Sequence, residues 1–169
     1  MPDRRRLIVF GAIAGLGVAL DQLVKAIARV YLAPRPPIVV WGGVVRLVYS
    51  ENAGAFMGLG TALPPAVRTL LFGVFAAVLL GVVTAYVLTA GGLTRIDVVA
   101  ASLLVAGGLG NLIDRAVWGG RVTDFVTVGF GWLRTGIFNV ADVLIVAGVV
   151  WFLVSIVSGR PEPGSSDAR

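Results

Sequence analysis

A chain of 169 residues that is 57% apolar and 14% charged, with a mean hydropathy of +0.94, is too apolar for a soluble domain of its size. It has no cysteine and no histidine, which excludes disulfides, thiolate nucleophiles, Cys- or His-bound metals, and Ser-His or Cys-His catalysis. The net charge of +5 comes from cations scattered singly apart from Arg4-Arg5-Arg6, so it reads as an orientation signal, and no nucleic-acid partner is expected.

The apolar residues fall into four blocks of roughly 17 to 25, the length a helix rising about 1.5 Å per residue needs to cross about 30 Å of hydrocarbon. The first span, over about 7–32, follows Arg4 to Arg6, which predicts a cytoplasmic N-terminus. Ala26-Ile27-Ala28 mimics a signal-peptide cleavage site. Asp21 and Lys25 would put charges in the neutral stretch before such a cut, so a retained span is expected. In the outside loop 33–65, Ile38 to Trp41 and Val44 to Tyr49 flank Gly42-Gly43, which predicts a β-hairpin with a tight glycine turn. Pro34, Pro36 and Pro37 before it, and Pro64-Pro65 after the glycine-rich Gly54 to Gly60 segment, break helix at both ends of the loop. With Trp41 and Tyr49, the hairpin reads as an inert lid or, preferred here, as an amphipathic platform at headgroup level, with Asn52 to Gly60 as a mobile gate.

The second span is expected over about 66–90, and Gly91 to Arg95 form a short inside turn into a third over about 96–117. An outside loop, 118–136, leads to the fourth over about 137–157. Residues 158–169, with Pro161, Pro163 and Gly164, read as a disordered cytoplasmic tail. The expected fold is one all-α integral membrane domain: four transmembrane helices with a small extracytoplasmic β-hairpin or β-sheet element.

With this topology the polar residues converge near the outer leaflet, and the inner leaflet has no such cluster. Asp21 lies about 21 Å along the first helix from Leu7, Asn111, Asp114 and Arg115 end the third, and Asn139 and Asp142 begin the fourth. Asp124 sits in the segment between those two spans, within reach of the same region. A carboxylate embedded in a span costs about 2.5 to 3.5 kcal/mol on insertion scales, so Asp142 is by default a functional residue. No GxSxG or HExxH pattern occurs, and acid-base chemistry must use carboxylates, Lys25 or tyrosines. Two neighbouring carboxylates share one proton. One can then activate water while the other donates to a scissile carbonyl, hydrolysing a peptide bond without metal or cofactor.

Five short segments, in order, resemble the lipoprotein signal peptidase (signal peptidase II) family over nearly the whole chain. They are Asp21-Gln22-Leu23-Val24-Lys25, Asn52-Ala53-Gly54-Ala55-Phe56, Gly107 to Arg115, Val122-Thr123-Asp124-Phe125 and Phe138-Asn139-Val140-Ala141-Asp142. The resemblance implies a membrane aspartyl endopeptidase of the bacterial plasma membrane, with both termini cytoplasmic. It would cleave prolipoproteins just before the diacylglyceryl-modified cysteine and be sensitive to globomycin-like cyclic peptides. It implies Asp124 and Asp142 as the catalytic pair, with Asn139 orienting the pair or the substrate from one helical turn before Asp142. Asn52 and Arg115 resemble positions that hydrogen-bond the substrate backbone, and Gly54, Asn111 and Asp114 positions that shape or brace the site. Asp21 and Lys25 are expected to be structural support.

Simpler readings stand beside these. Asp21 and Lys25, four apart, could be a helical ion pair or bind substrate, and Asp114 with Arg115 could be a local pair capping the third helix. Gly107, Gly108 and Gly110 read first as close-packing residues, and Asp142 could be helix glue paired with Arg115 or Lys25. A small proton-coupled transporter would also bury Asp and Asn in a bundle. Its polar residues should span the membrane, and here they stop near one side.

Overall fold

A computed structural model of the chain describes residues 3–54 and 62–157. The expected tail over 158–169 and most of the expected gate, Ala55 to Gly60, lie outside the described residues. Four helices are long and apolar enough to cross a membrane: α1 (Arg4–Tyr31), α2 (Pro65–Thr89), α3 (Arg95–Val117) and α4 (Val140–Val157). Their starts follow local chemistry. Asp3 caps α1 by accepting from the Arg5 amide, Pro65 supplies a preset φ at the first position of α2, and Thr94 with Asp97 forms a reciprocal capping box on α3. Within α2, Thr69–Phe75 widens into a π-helical turn.

The expected spans agree with these helices to within a few residues, with one informative exception. The fourth helix begins at Val140, not Ile137, because Phe138 is drawn into the sheet by a bridge to Val126.

Helix α3 occupies the middle of the bundle and packs on α1, α2 and α4. Its buried face carries a run of small residues, among them Ala100, Ser102, Ala106, Gly107 and Gly110. A methyl group at Gly107 would strike the Ala141 carbonyl, one at Gly108 would strike Leu80, and one at Gly148 would strike the Ala100 carbonyl and Leu104. These glycines let the helix backbones approach, as the close-packing reading expects. The large aliphatics point the other way: Leu16, Leu20, Leu23, Val78, Val82, Val150 and Phe152 are exposed around the outside, where only hydrocarbon would favour them.

A four-stranded antiparallel sheet caps one end, in the order β1 (Ile38–Val40), β2 (Val45–Asn52), β3 (Val122–Phe130), β4 (Leu133–Arg134). The expected hairpin is present as β1 and β2, turned through Trp41, Gly42 and Gly43, all at positive φ. The segment read as the outside loop 118–136 is instead largely strand. Val122 to Phe130 is rich in β-branched and aromatic residues and pairs with β2 from Val45 to Asn52, with a bulge between Leu47 and Ser50.

Candidate active site

Strand pairing brings the two predicted aspartates together. Asp124 lies in β3 opposite Ser50 and is 2% exposed, so it is a buried strand residue and not the loop aspartate the sequence suggests. Beyond it, Phe138 pairs with Val126, its carbonyl accepting from the Phe125 and Val126 amides. That bridge delivers the next residue, Asn139, to the side of Asp124. Asn139 is the N-cap of α4 and not a residue within it. Its side-chain oxygen accepts from the Asp142 amide at 3.0 Å, while its own amide N–H donates to Asp142 Oδ2 at 3.2 Å. The helix start thus places Asp142 one turn in and Asn139 between the two carboxylates.

Three asparagines hold the pair. Asn52 Nδ2 donates to Asp124 Oδ2 at 3.0 Å, Asn139 Nδ2 to Asp124 Oδ1 at 2.6 Å, and Asn111 Nδ2 to Asp142 Oδ1 at 3.0 Å. Each amide has its polarity fixed by a group that can only donate: the Gly54 N–H on Asn52 Oδ1, the Asp142 N–H on Asn139 Oδ1, and the Lys25 ammonium on Asn111 Oδ1 at 2.9 Å. All four carboxylate oxygens therefore receive a neutral donor. Among the described residues neither Asp124 nor Asp142 forms an ion pair, so the helix-glue alternative for Asp142 is not seen. Burial first of all, then the nearby Asp142 charge, pushes the Asp124 carboxyl up to about 6, against the opposing pull of its two asparagine donors.

Below the pair lies a different cluster. Lys25 is fully buried, 2.8 Å from Asp21 and 3.5 Å from Asp114, and Arg29 meets Asp114 at 2.8 Å. Asp114 therefore pairs with α1 and not with its neighbour Arg115, correcting the local-pair alternative. Its other oxygen accepts from the Thr123 amide at 2.9 Å, and Asp21 accepts from the Ala141 amide at 2.8 Å. Arg29 and Gln22 were not singled out from the sequence as site residues. With Asp21 and Lys25 they fall at helical spacing on one face of α1, and that periodicity is the signal for them. Gly110 is required here, since a methyl group would press on the Asp21 carboxylate.

Arg115 bonds the carbonyls of Asn111 at 3.3 Å and Gly54 at 2.9 Å, tying the end of α3 to the segment after β2. Together with Asn111 and Asp142 it lines a cavity of about 610 Å³ walled otherwise by apolar residues such as Phe72, Phe75 and Ile145. Among the described residues no three carboxylates converge as a metal site would require. At the other end of the bundle, where no polar cluster is expected, Asp97 is also buried, spent on the α3 cap and on Ser155 Oγ at 2.6 Å.

Residues 13–158 match the family described as Signal peptidase (SPase) II. The chain is 35% identical to a lipoprotein signal peptidase of Bifidobacterium longum subsp. infantis over 94% of its length and 83% of the relative's. It is 31% identical to one from Treponema pallidum, over 90% of this chain and 84% of the relative. A solved bacterial membrane enzyme superposes with a TM-score of 0.80 at 26% identity, covering 95% of this chain and 94% of that one. With four membrane-length helices and this agreement over nearly its whole length, the chain belongs to the signal peptidase II family of lipoprotein signal peptidases.

Proposed function

We propose that this membrane protease cleaves diacylglyceryl-modified prolipoproteins just before the lipidated cysteine, with Asp124 and Asp142 as the catalytic pair. The observation that carries the reading is one asparagine, Asn139, joining the buried Asp124 to the half-buried Asp142, which lines an apolar cavity. Asp142 lines that cavity and is the more accessible of the two carboxylates, so it is the base that takes a proton from water. Asp124, deeper and pushed up to about 6, holds the proton that the scissile carbonyl oxygen receives as the water oxygen bonds its carbon. The tetrahedral intermediate then collapses: the C–N bond breaks and the leaving nitrogen is protonated from the pair.

In this reading Arg115 and Asn52 hold the substrate backbone, and the apolar cavity takes its hydrocarbon portions, the place a globomycin-like inhibitor would also occupy. Gly54, Asn111 and Asp114 shape the site. The three arginines that start α1 support a topology with both termini in the cytoplasm of a bacterial cell and the aspartates and sheet near the outer leaflet of the plasma membrane. Exposed Trp41, Phe130 and Trp132 at the sheet's far turns would then rest among headgroups.

The test is a gel-shift assay in lipid, presenting a diacylglyceryl-modified prolipoprotein and its unlipidated twin to wild type, Asp124→Asn and Asp142→Asn. Cleavage of the lipidated form by wild type alone is expected. Near-normal turnover by either amide variant would falsify the pair assignment.

A further inference from the structure

At the end of the bundle opposite the aspartates, where α1 begins, α2 ends and α3 begins, lies a separate cavity of about 560 Å³. Arg5, Arg6 and Arg95 line it, with Asp3 as the carboxylate among its lining residues. Asp3 is already engaged, accepting from the Arg5 amide at 3.1 Å. Arg6 is anchored in the wall: Nη1 donates to the Ala90 carbonyl at 2.8 Å and Nη2 to the Val87 carbonyl, while its Nε is buried without a partner. Among the described residues none of these three arginines forms an ion pair, and Arg5 and Arg95 are exposed. Val9, Val98 and Val99 continue the wall into the apolar part of the bundle.

A cationic mouth over an apolar wall, level with three helix ends, matches a ligand with a phosphate anion at one end and hydrocarbon at the other. Free phosphate shares the first chemistry but gains nothing from the valines. We infer that this cavity binds the headgroup of an anionic phospholipid, its phosphodiester between Arg5 and Arg95 and an acyl chain along Val9, Val98 and Val99. Arg6, held by the two carbonyls, contributes charge without moving. The site needs no contact with the aspartates, so it would govern lipid retention and the seating of the helix ends and not the cleavage chemistry.

The full chain in mixed micelles with equal phosphatidylglycerol and phosphatidylcholine is read by native mass spectrometry. Wild type should retain one phosphatidylglycerol in preference to phosphatidylcholine. The R5Q/R95Q double variant should bind it about 30-fold more weakly, from about 1 kcal/mol for each interfacial cation. R46Q, which removes an exposed cation on β2, should bind as wild type does. Unchanged cleavage in detergent by R5Q/R95Q would show that it is folded. Equal retention by R5Q/R95Q, equal occupancy by phosphatidylcholine, or displacement of the lipid by excess inorganic phosphate would each overturn the assignment, the last in favour of a free-anion site.

Discussion

Two pairs of carboxylates lie side by side in this protein and are treated oppositely. Asp21 and Asp114 are fully buried against Lys25 and Arg29, so their charges are matched by cations. Among the described residues, Asp124 and Asp142 receive only neutral donors: three asparagine amides and one backbone N–H. The first arrangement matches buried charge with charge, and the second leaves its carboxylates without a counter-ion. The two are mechanically joined. Asp114 grips the amide of Thr123 and Asp21 the amide of Ala141, in each case the residue immediately before a proposed catalytic aspartate. The cation-matched pair is thus a clamp for the amide-held pair.

The sharpest break of this comparison swaps what each pair cannot lose. Asp124→Asn or Asp142→Asn keeps the shape and removes the proton traffic, so kcat should fall about 100- to 10,000-fold with thermal stability in lipid little changed. Lys25→Met does the reverse. It leaves Asp21 and Asp114 short of a buried cation, and unfolding should become easier by about 3 to 5 kcal/mol, read as a fall in the thermal midpoint of the purified protein. Loss of stability from Asp124→Asn matching that of Lys25→Met would show the two pairs to be one structural cluster.

Much of this was legible in the sequence, and the remainder was hidden for physical reasons. Span positions follow from hydrocarbon length, and the family's five segments already contain every residue of the asparagine and aspartate network. The sequence could not show that Asp124 is a buried strand residue, because β3 becomes a strand through pairing with β2, far away in the chain. Likewise Asn139 looks like a helical residue one turn before Asp142. Only the Phe138–Val126 bridge, which delays the start of the helix to Val140, turns it into a cap. The local Asp114–Arg115 pair, the alternative to a bracing role, does not form, because Arg115 is a nearer cation than Arg29 in the chain but not in space.

Smaller perturbations test the clamp's geometry. Gly110→Ala should cost about 1 to 3 kcal/mol, since the new methyl meets the Asp21 carboxylate within the tight α1–α3 contact. Because Asp21 holds the Ala141 amide, cleavage should fall along with stability, whereas a core defect remote from the clamp would lower stability alone. A Gly110→Ala protein with wild-type kcat in the folded fraction would uncouple the two pairs.

The smallest effects come from carboxylates that are neither clamped nor catalytic. Glu51 on β2 meets Arg121 at 2.7 Å with both side chains substantially exposed, and hydrogen bonds from Arg121 and Tyr49 hold its carboxyl below the usual 4.5. The signs of the two sheet carboxylates are opposite. Asp124, raised from 3.8 to about 6, stabilises the fold when protonated, a contribution lost as pH rises through that window, and Asp124→Asn should remove this pH dependence. Glu51, lowered, stabilises the fold above its ordinary value and loses that contribution as pH falls. Arg121→Gln should therefore cost about 0.2 to 1 kcal/mol near neutrality, fading with added salt, and should leave cleavage unchanged. A larger, salt-insensitive loss would mean that cation matching matters even at the exposed sheet, and the distinction between clamp and surface would have to be redrawn from burial to charge alone.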